Sequence, residues 1–73
     1  MALAKDSRGN NYAEVDMGNG EQVRVTYIKE SWAGKGGVRI QIRDGDGHLR
    51  QGPEFPAQIS RDVVAAINDL ISI

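Results

Sequence analysis

From Val38 to Arg43 apolar and polar residues alternate without a break. With a strand period of two, Val38, Ile40 and Ile42 share one face and Arg39, Gln41 and Arg43 share the other. The run before it repeats the pattern more loosely, with Val23, Val25 and Tyr27 on one side and Arg24, Thr26 and Ile28 on the other. A weaker alternation from Tyr12 to Met17 sets Ala13, Val15 and Met17 opposite Glu14 and Asp16. These runs predict three strands, the second spanning Gln22 to Glu30. Gly18-Asn19-Gly20 is a turn signal between the first two, because glycine and asparagine tolerate positive φ. A glycine-rich loop, Ser31 to Gly37, separates the second from the third, and Asp44-Gly45-Asp46-Gly47 reads as a hairpin turn after it. His48 to Phe55 is the fourth strand. Gly52-Pro53 interrupts it, and proline gives no ladder hydrogen bond, so this strand is an edge or bulges there.

After Pro56 the period changes. Val63, Val64, Ile67, Leu70 and Ile71 recur at helical spacing, with Ala65, Ala66, Asn68 and Asp69 on the other side. Ser60 is the expected N-cap, and Asp62 lies in the first turn, where the helix dipole favours a carboxylate. The predicted fold class is α+β: a four-stranded antiparallel meander followed by one C-terminal amphipathic helix, ββββα. Residues 1–11 read as a flexible leader and residues 12–73 as one domain. The apolar sheet face needs a cover, and the helix is the candidate that the chain supplies. The arginine-bearing face would then stay open.

With 73 residues and no cysteine, neither disulfides nor thiolate metal sites can reinforce the core. Oligomerisation is one remaining support, and the apolar end of the helix favours a homodimer. Met1 to Arg8 has no apolar signal-peptide core, and no apolar run reaches the roughly 18 residues of a membrane span. The expected localisation is cytoplasmic, without membrane contact. The formal net charge of −1 is low for an indiscriminate nucleic-acid binder. Its distribution is more informative. Glu21 to Arg43 carries Arg24, Lys29, Lys35, Arg39 and Arg43 against Glu21 and Glu30, a local net of +3. If the second and third strands pair, their polar faces merge into one basic patch.

The order of elements resembles the single-stranded-DNA-binding transcriptional coactivator family of positive cofactor four and its bacterial relatives. Three segments carry the resemblance. Val38-Arg39-Ile40-Gln41-Ile42-Arg43-Asp44 looks like the family's aliphatic–arginine–acid strand. Arg50-Gln51-Gly52-Pro53-Glu54-Phe55-Pro56 looks like its strand running into the helix, and Ser60 to Leu70 like its closing helix. The similarity spans about Tyr12 to Ile71. Gly45-Asp46-Gly47 stands where the family usually places aromatic residues. The resemblance implies a curved antiparallel sheet, a dimer and binding of single-stranded DNA.

Taken singly, Arg24, Arg39, Arg43 and Arg50 are either a solvated strand face paired to nearby acids or a phosphate-tracking surface. Gln41 lies between two of them. Lys29 and Lys35 would add loop contacts. Trp32 reads as a packing residue or as a base-stacking one, and Tyr27, in step with Val23 and Val25, as core. Gly34-Lys35-Gly36-Gly37 lacks the spacing, the hydroxyl residue and the following helix of a phosphate-binding loop. Asp44 to Phe55 does not supply a calcium loop's ligands, since its fifth, sixth and twelfth positions are His48, Leu49 and Phe55. A lone His48 without cysteine does not make a zinc site. No nucleophile has a recognisable partner, so an enzyme is not expected, and no cofactor is implied.

The expected function is binding of single-stranded DNA or RNA by a transcription or replication accessory factor. Four phosphate contacts would give log affinity against log salt a slope near −3, at about −0.7 per contact. The alternatives are a protein-interaction module and a structural subunit whose arginines bridge neighbouring chains.

Overall fold

A computed structural model describes residues 2–31 and 35–72. Trp32 lies outside them. The fold is α+β, an antiparallel sheet followed by one C-terminal helix. The strands are β1 (Ala4–Lys5), β2 (Asn11–Asp16), β3 (Gln22–Ile28), β4 (Gly37–Arg43), β5 (Leu49–Arg50) and β6 (Glu54–Pro56). A 3-10 turn (Ala57–Ile59) leads into α1 (Ser60–Ile71). The sheet runs β1-β2-β3-β4, and both β5 and β6 pair with the outer edge of β4.

Among the described residues six strands stand where four were expected. The difference has two local causes. First, the expected fourth strand is broken in two at Gln51 to Pro53. Ile40 N–H donates to the Pro53 carbonyl at 3.0 Å, so the backbone of β4 stays satisfied across the break. Second, the expected leader contributes β1, with Ala4 opposite Tyr12 and Lys5 opposite Asn11. The turn that brings it back is the same device as the Asp44 turn. Asp6 Oδ1 accepts the Arg8 and Asn10 N–H groups, each at 2.9 Å. Asp44 Oδ1 accepts those of Asp46 and His48, each at 3.0 Å. Gly9 and Gly47 sit at the same place in the two turns with φ of 80° and 86°, a conformation that favours glycine. Backbone N–H donation, from Asn10 first in one turn and from His48 first in the other, holds the Asp6 and Asp44 carboxyls below their ordinary range.

The register of the central strands decides which side chains share a face. Tyr12, Glu14 and Asp16 stand opposite Thr26, Arg24 and Gln22. Gln22, Arg24 and Thr26 in turn stand opposite Arg43, Gln41 and Arg39. The polar positions of three strands therefore form one face. Ala13, Val15, Val23, Val25, Tyr27, Val38, Ile40, Ile42 and Phe55 hold the other.

Two expectations about packing are corrected. The helix does not cover the apolar sheet face. No residue of α1 is buried, and its packing neighbour is the 3-10 turn ahead of it. Tyr27, expected in the core, is accordingly exposed. Among the described residues the buried apolar side chain is Ile28, on the polar face near the end of β3. Ser60 is not the N-cap either. The 3-10 turn already winds the chain, so Ser60 has helical angles, φ −58° and ψ −40°, and Ile59 takes the cap position.

Candidate nucleic-acid interface

The polar face is built around two carboxylates, each gripped by arginine. Glu14 on β2 bridges two strands. Its Oε2 accepts Arg24 Nε at 2.9 Å and Arg43 Nε at 2.8 Å, and its Oε1 accepts Arg43 Nη2 at 3.3 Å. Arg43 also donates to Gln22. Two guanidinium groups on one carboxylate leave this cluster with one net positive charge. The Arg24 guanidinium lies over the Tyr12 ring, 4.0 Å from its centroid, in a cation–π contact. At the other end Glu54 Oε1 accepts Arg39 Nε at 3.0 Å and Nη2 at 2.8 Å, while its Oε2 accepts the Ser31 hydroxyl. Here the charges cancel. The Glu54 side chain is 6% exposed and Arg39 42%, so the carboxylate is enclosed and the guanidinium keeps an open side.

Hydrogen bonds to the ionised form lower both carboxyl pKa values. For Glu14 the main donor is Arg43, followed by Arg24; for Glu54 it is Ser31, followed by Arg39. A carboxylate with a depressed folded pKa contributes stability above its unfolded pKa, near 4.3 for glutamate. That contribution is lost as pH falls through the folded value. We therefore expect a melting temperature that is flat from pH 7 to about 5 and then falls progressively as the pH drops below about 4. Circular dichroism melts across that range test this, and a melting temperature held constant to pH 3 would contradict it.

Three adjoining depressions cross the polar face. One is lined by Arg39, Gln41, Gln51, Gly52, Pro53 and Glu54. The next shares Arg39 and Gln41 with it and adds Thr26, Arg24, Tyr12, Arg8 and Leu49. The third shares Arg8 with the second and reaches Asn10, Ile28, Lys29 and Glu30. The result is a path that crosses the strands from the β5–β6 break to the end of β3. Cations recur along it in the order Arg39, Arg24, Arg8, Lys29, with Lys5, whose Nζ donates to Asn11, beside Arg24 and with Glu54, Asp6 and Glu30 among them. Arg8 and Lys29 make no ion pair among the described residues.

The structure thus gathers four of the sequence-predicted residues, Arg24, Lys29, Arg39 and Gln41, along one path. Arg43 sits beside it, joined through Glu14. Arg50 does not belong to this face: it stands opposite Ile42 and pairs with Glu21. Lys35 is exposed in the loop before β4 and lines none of the three depressions. Sequence reasoning passed over Arg8, Tyr12, Glu14 and Glu54. Arg8 fell in the supposed leader, although Asp6 and Gly9 repeat the spacing of Asp44 and Gly47. Tyr12 and Glu14 were legible by parity, since both alternate with Ala13.

Asp44, Asp46 and His48 bring their ligand-type atoms within 4.8 Å of one another. Asp44 Oδ1 is already the acceptor that holds its turn, and His48 Nδ1 lies 3.8 Å from that oxygen. No helix among the described residues is long and apolar enough to cross a membrane. No family model matches the chain, and neither does any curated protein or any solved structure.

Proposed function

We propose that the protein binds single-stranded nucleic acid along the polar sheet face, as an accessory factor in transcription or replication. The observation that carries this reading is the continuous path on which Arg39, Arg24, Arg8 and Lys29 follow one another. A chain of phosphates is an extended, regularly charged ligand, and a row of cations in a shallow path suits it. Arg24 lies over the Tyr12 ring, and guanidinium planes and aromatic rings are the surfaces on which unpaired bases stack.

The carboxylates set the strength. Glu14 and Glu54 compete with phosphate for Arg24 and Arg39, so binding should be modest and strongly salt-dependent. Arg8 and Lys29 supply full contacts and the paired arginines partial ones. The expected slope of log affinity against log salt is then about −2, shallower than four free cations would give. Fluorescence anisotropy of labelled poly-dT and of a duplex of equal length tests the reading. Wild type should prefer poly-dT, and Tyr12→Ala should weaken that binding about 10-fold, in line with the 1–3 kcal/mol of one stacked base. Equal binding to both probes, unchanged by Tyr12→Ala, would contradict it.

A rival role as an intersubunit salt-bridge element has less behind it. Arg24, Arg39, Arg43 and Arg50 each have a carboxylate partner within the chain. The open apolar positions of the sheet do favour an assembling protein, and they lie on the face opposite Arg24, Arg39 and Arg43.

A further inference from the structure

Arg39 lies on the cation path, yet the Glu54 carboxylate cancels its charge. Its geometry suits a second task. A guanidinium carries five N–H donors in a planar fork. Glu54 Oε1 takes the edge formed by Nε and Nη2, at 3.0 and 2.8 Å. That carboxylate is enclosed and is itself held by the Ser31 hydroxyl, so the guanidinium plane is fixed from one side. The opposite edge, formed by Nη1 and the remaining Nη2 hydrogen, keeps three donors and makes no hydrogen bond among the described residues. Arg39 lines the depression at the β5–β6 break together with Gln41, Gln51, Gly52 and Pro53. Its volume is about 540 Å³, inside the roughly 300–1,000 Å³ of small-molecule sites. The Gln41 and Gln51 amides each bring donors and an acceptor, and no hydrogen bond engages either amide among the described residues. Gly52 and Pro53 add a wall without polar side chains. Three planar hydrogen-bonding groups thus border one depression in which the ionic charge is already cancelled.

We infer that this depression takes one unpaired base of the bound strand and that the base is guanine, read by Arg39 with Gln41 and Gln51. The inference rests on the single-strand reading above and adds a sequence preference to it. Net charge is what holds a phosphate, and at Arg39 it is cancelled. Directed planar donors and acceptors are what hold a base edge, and unpaired bases present all their edges. Guanine offers O6 and N7 side by side, which an arginine fork meets with two parallel hydrogen bonds. Beside them stand two donor groups, N1–H and the N2 amino group, which a glutamine Oε1 accepts. Adenine places its amino group between its acceptors N1 and N7, and thymine places N3–H between O2 and O4. Cytosine meets the fork through N3 and O2 but leaves one donor group for the two amides, against two from guanine. Guanine therefore makes the fullest set. Because Glu54 and Ser31 already fix the fork, little side-chain freedom is lost on binding.

Fluorescence anisotropy of short labelled strands at one fixed salt concentration tests this. A short oligo-dT and the same strand with one central dG differ in a single base. The dG strand should bind wild type about 10-fold tighter, the discrimination of one bidentate arginine–guanine pair. Replacing that dG with 7-deazaguanine removes the N7 acceptor and should abolish most of the gain. Arg39→Lys keeps the positive charge without the planar fork, and should bring the two strands to within about 2-fold of each other. Equal binding of the dG and dT strands by wild type would overturn the inference and leave the single-strand reading standing. Tighter binding of a central dA or dC than of dG would overturn it too, since the fork would then not be the reader. No binding by any strand would overturn both. The comparison of strands is made on the wild type, so it does not depend on a variant folding.

Discussion

Gly52→Ala is expected to destabilise the domain by about 3 kcal/mol, the upper end of overpacking costs, and to lower its melting temperature by roughly 12–24 °C. A Cβ at Gly52 would collide with the Ile40 carbonyl oxygen and would sit 2.9 Å from its carbon. Both atoms are backbone of β4, the strand that pairs with β3, β5 and β6. No rotamer change relieves that collision. Either the outer strand lifts off and gives up the bond from Ile40 N–H to Pro53, or β4 bends and disturbs its register with β3. A 73-residue domain has only about 4–11 kcal/mol in total, so the loss is a large fraction. Gly45→Ala is the control. Its Cβ would meet its nearest neighbour at 4.0 Å and its φ is not positive, so the change should stay within about 0.5 kcal/mol. Urea melts at one fixed protein concentration separate the two. Equal midpoints would contradict the close approach of Gly52 to β4.

Glu14→Gln is expected to act in opposite directions on stability and on binding. Glu14 is the shared acceptor of Arg24 and Arg43, with its side chain 20% exposed. The amide keeps the shape and one acceptor but loses the charge. Two part-buried guanidinium groups then face each other without their counterion. Charge-assisted hydrogen bonds are worth about 1.5–3 kcal/mol. Discounted for solvent screening, the loss should be about 1–2 kcal/mol, or roughly 5–15 °C in melting temperature. The same change raises the cluster from one net positive charge to two. Poly-dT affinity at low salt should rise about 3- to 10-fold, and the salt slope should steepen by about 0.7, one further phosphate contact. A variant that loses stability without gaining affinity would mean that the Arg24–Arg43 cluster takes no part in binding.

Alternation in β3 and β4 was enough to read which residues share a face, because a one-residue slip in register would invert every apolar position. The break in the outer strand was legible from Gly52-Pro53, and the hairpin turns from glycine, asparagine and aspartate. Three features were not. Two-residue β1 is too short to show a period, and only the repeated Asp-x-x-Gly spacing marks its turn. The ion pairs depend on register: Glu14 meets Arg24 because the Gly18-Asn19-Gly20 turn sets them opposite, which composition does not reveal. The position of the helix was misread for a different reason. Periodicity shows which side of α1 is apolar and is silent on what covers it. The 3-10 turn between Pro56 and Ser60 sends the helix away from its own sheet.

The path of cations is the centre of the functional account, and Arg8 and Lys29 test it with the least disturbance to the fold. Both are exposed and neither makes an ion pair among the described residues. The decisive measurement is the salt dependence of poly-dT anisotropy for wild type and for Arg8→Ala/Lys29→Ala. The account predicts a wild-type slope near −2 and a double-variant slope shallower by about 1.4, two contacts at about 0.7 each, with an unchanged melting temperature. Identical slopes for the two proteins, or no binding by folded wild type at low salt, would contradict it.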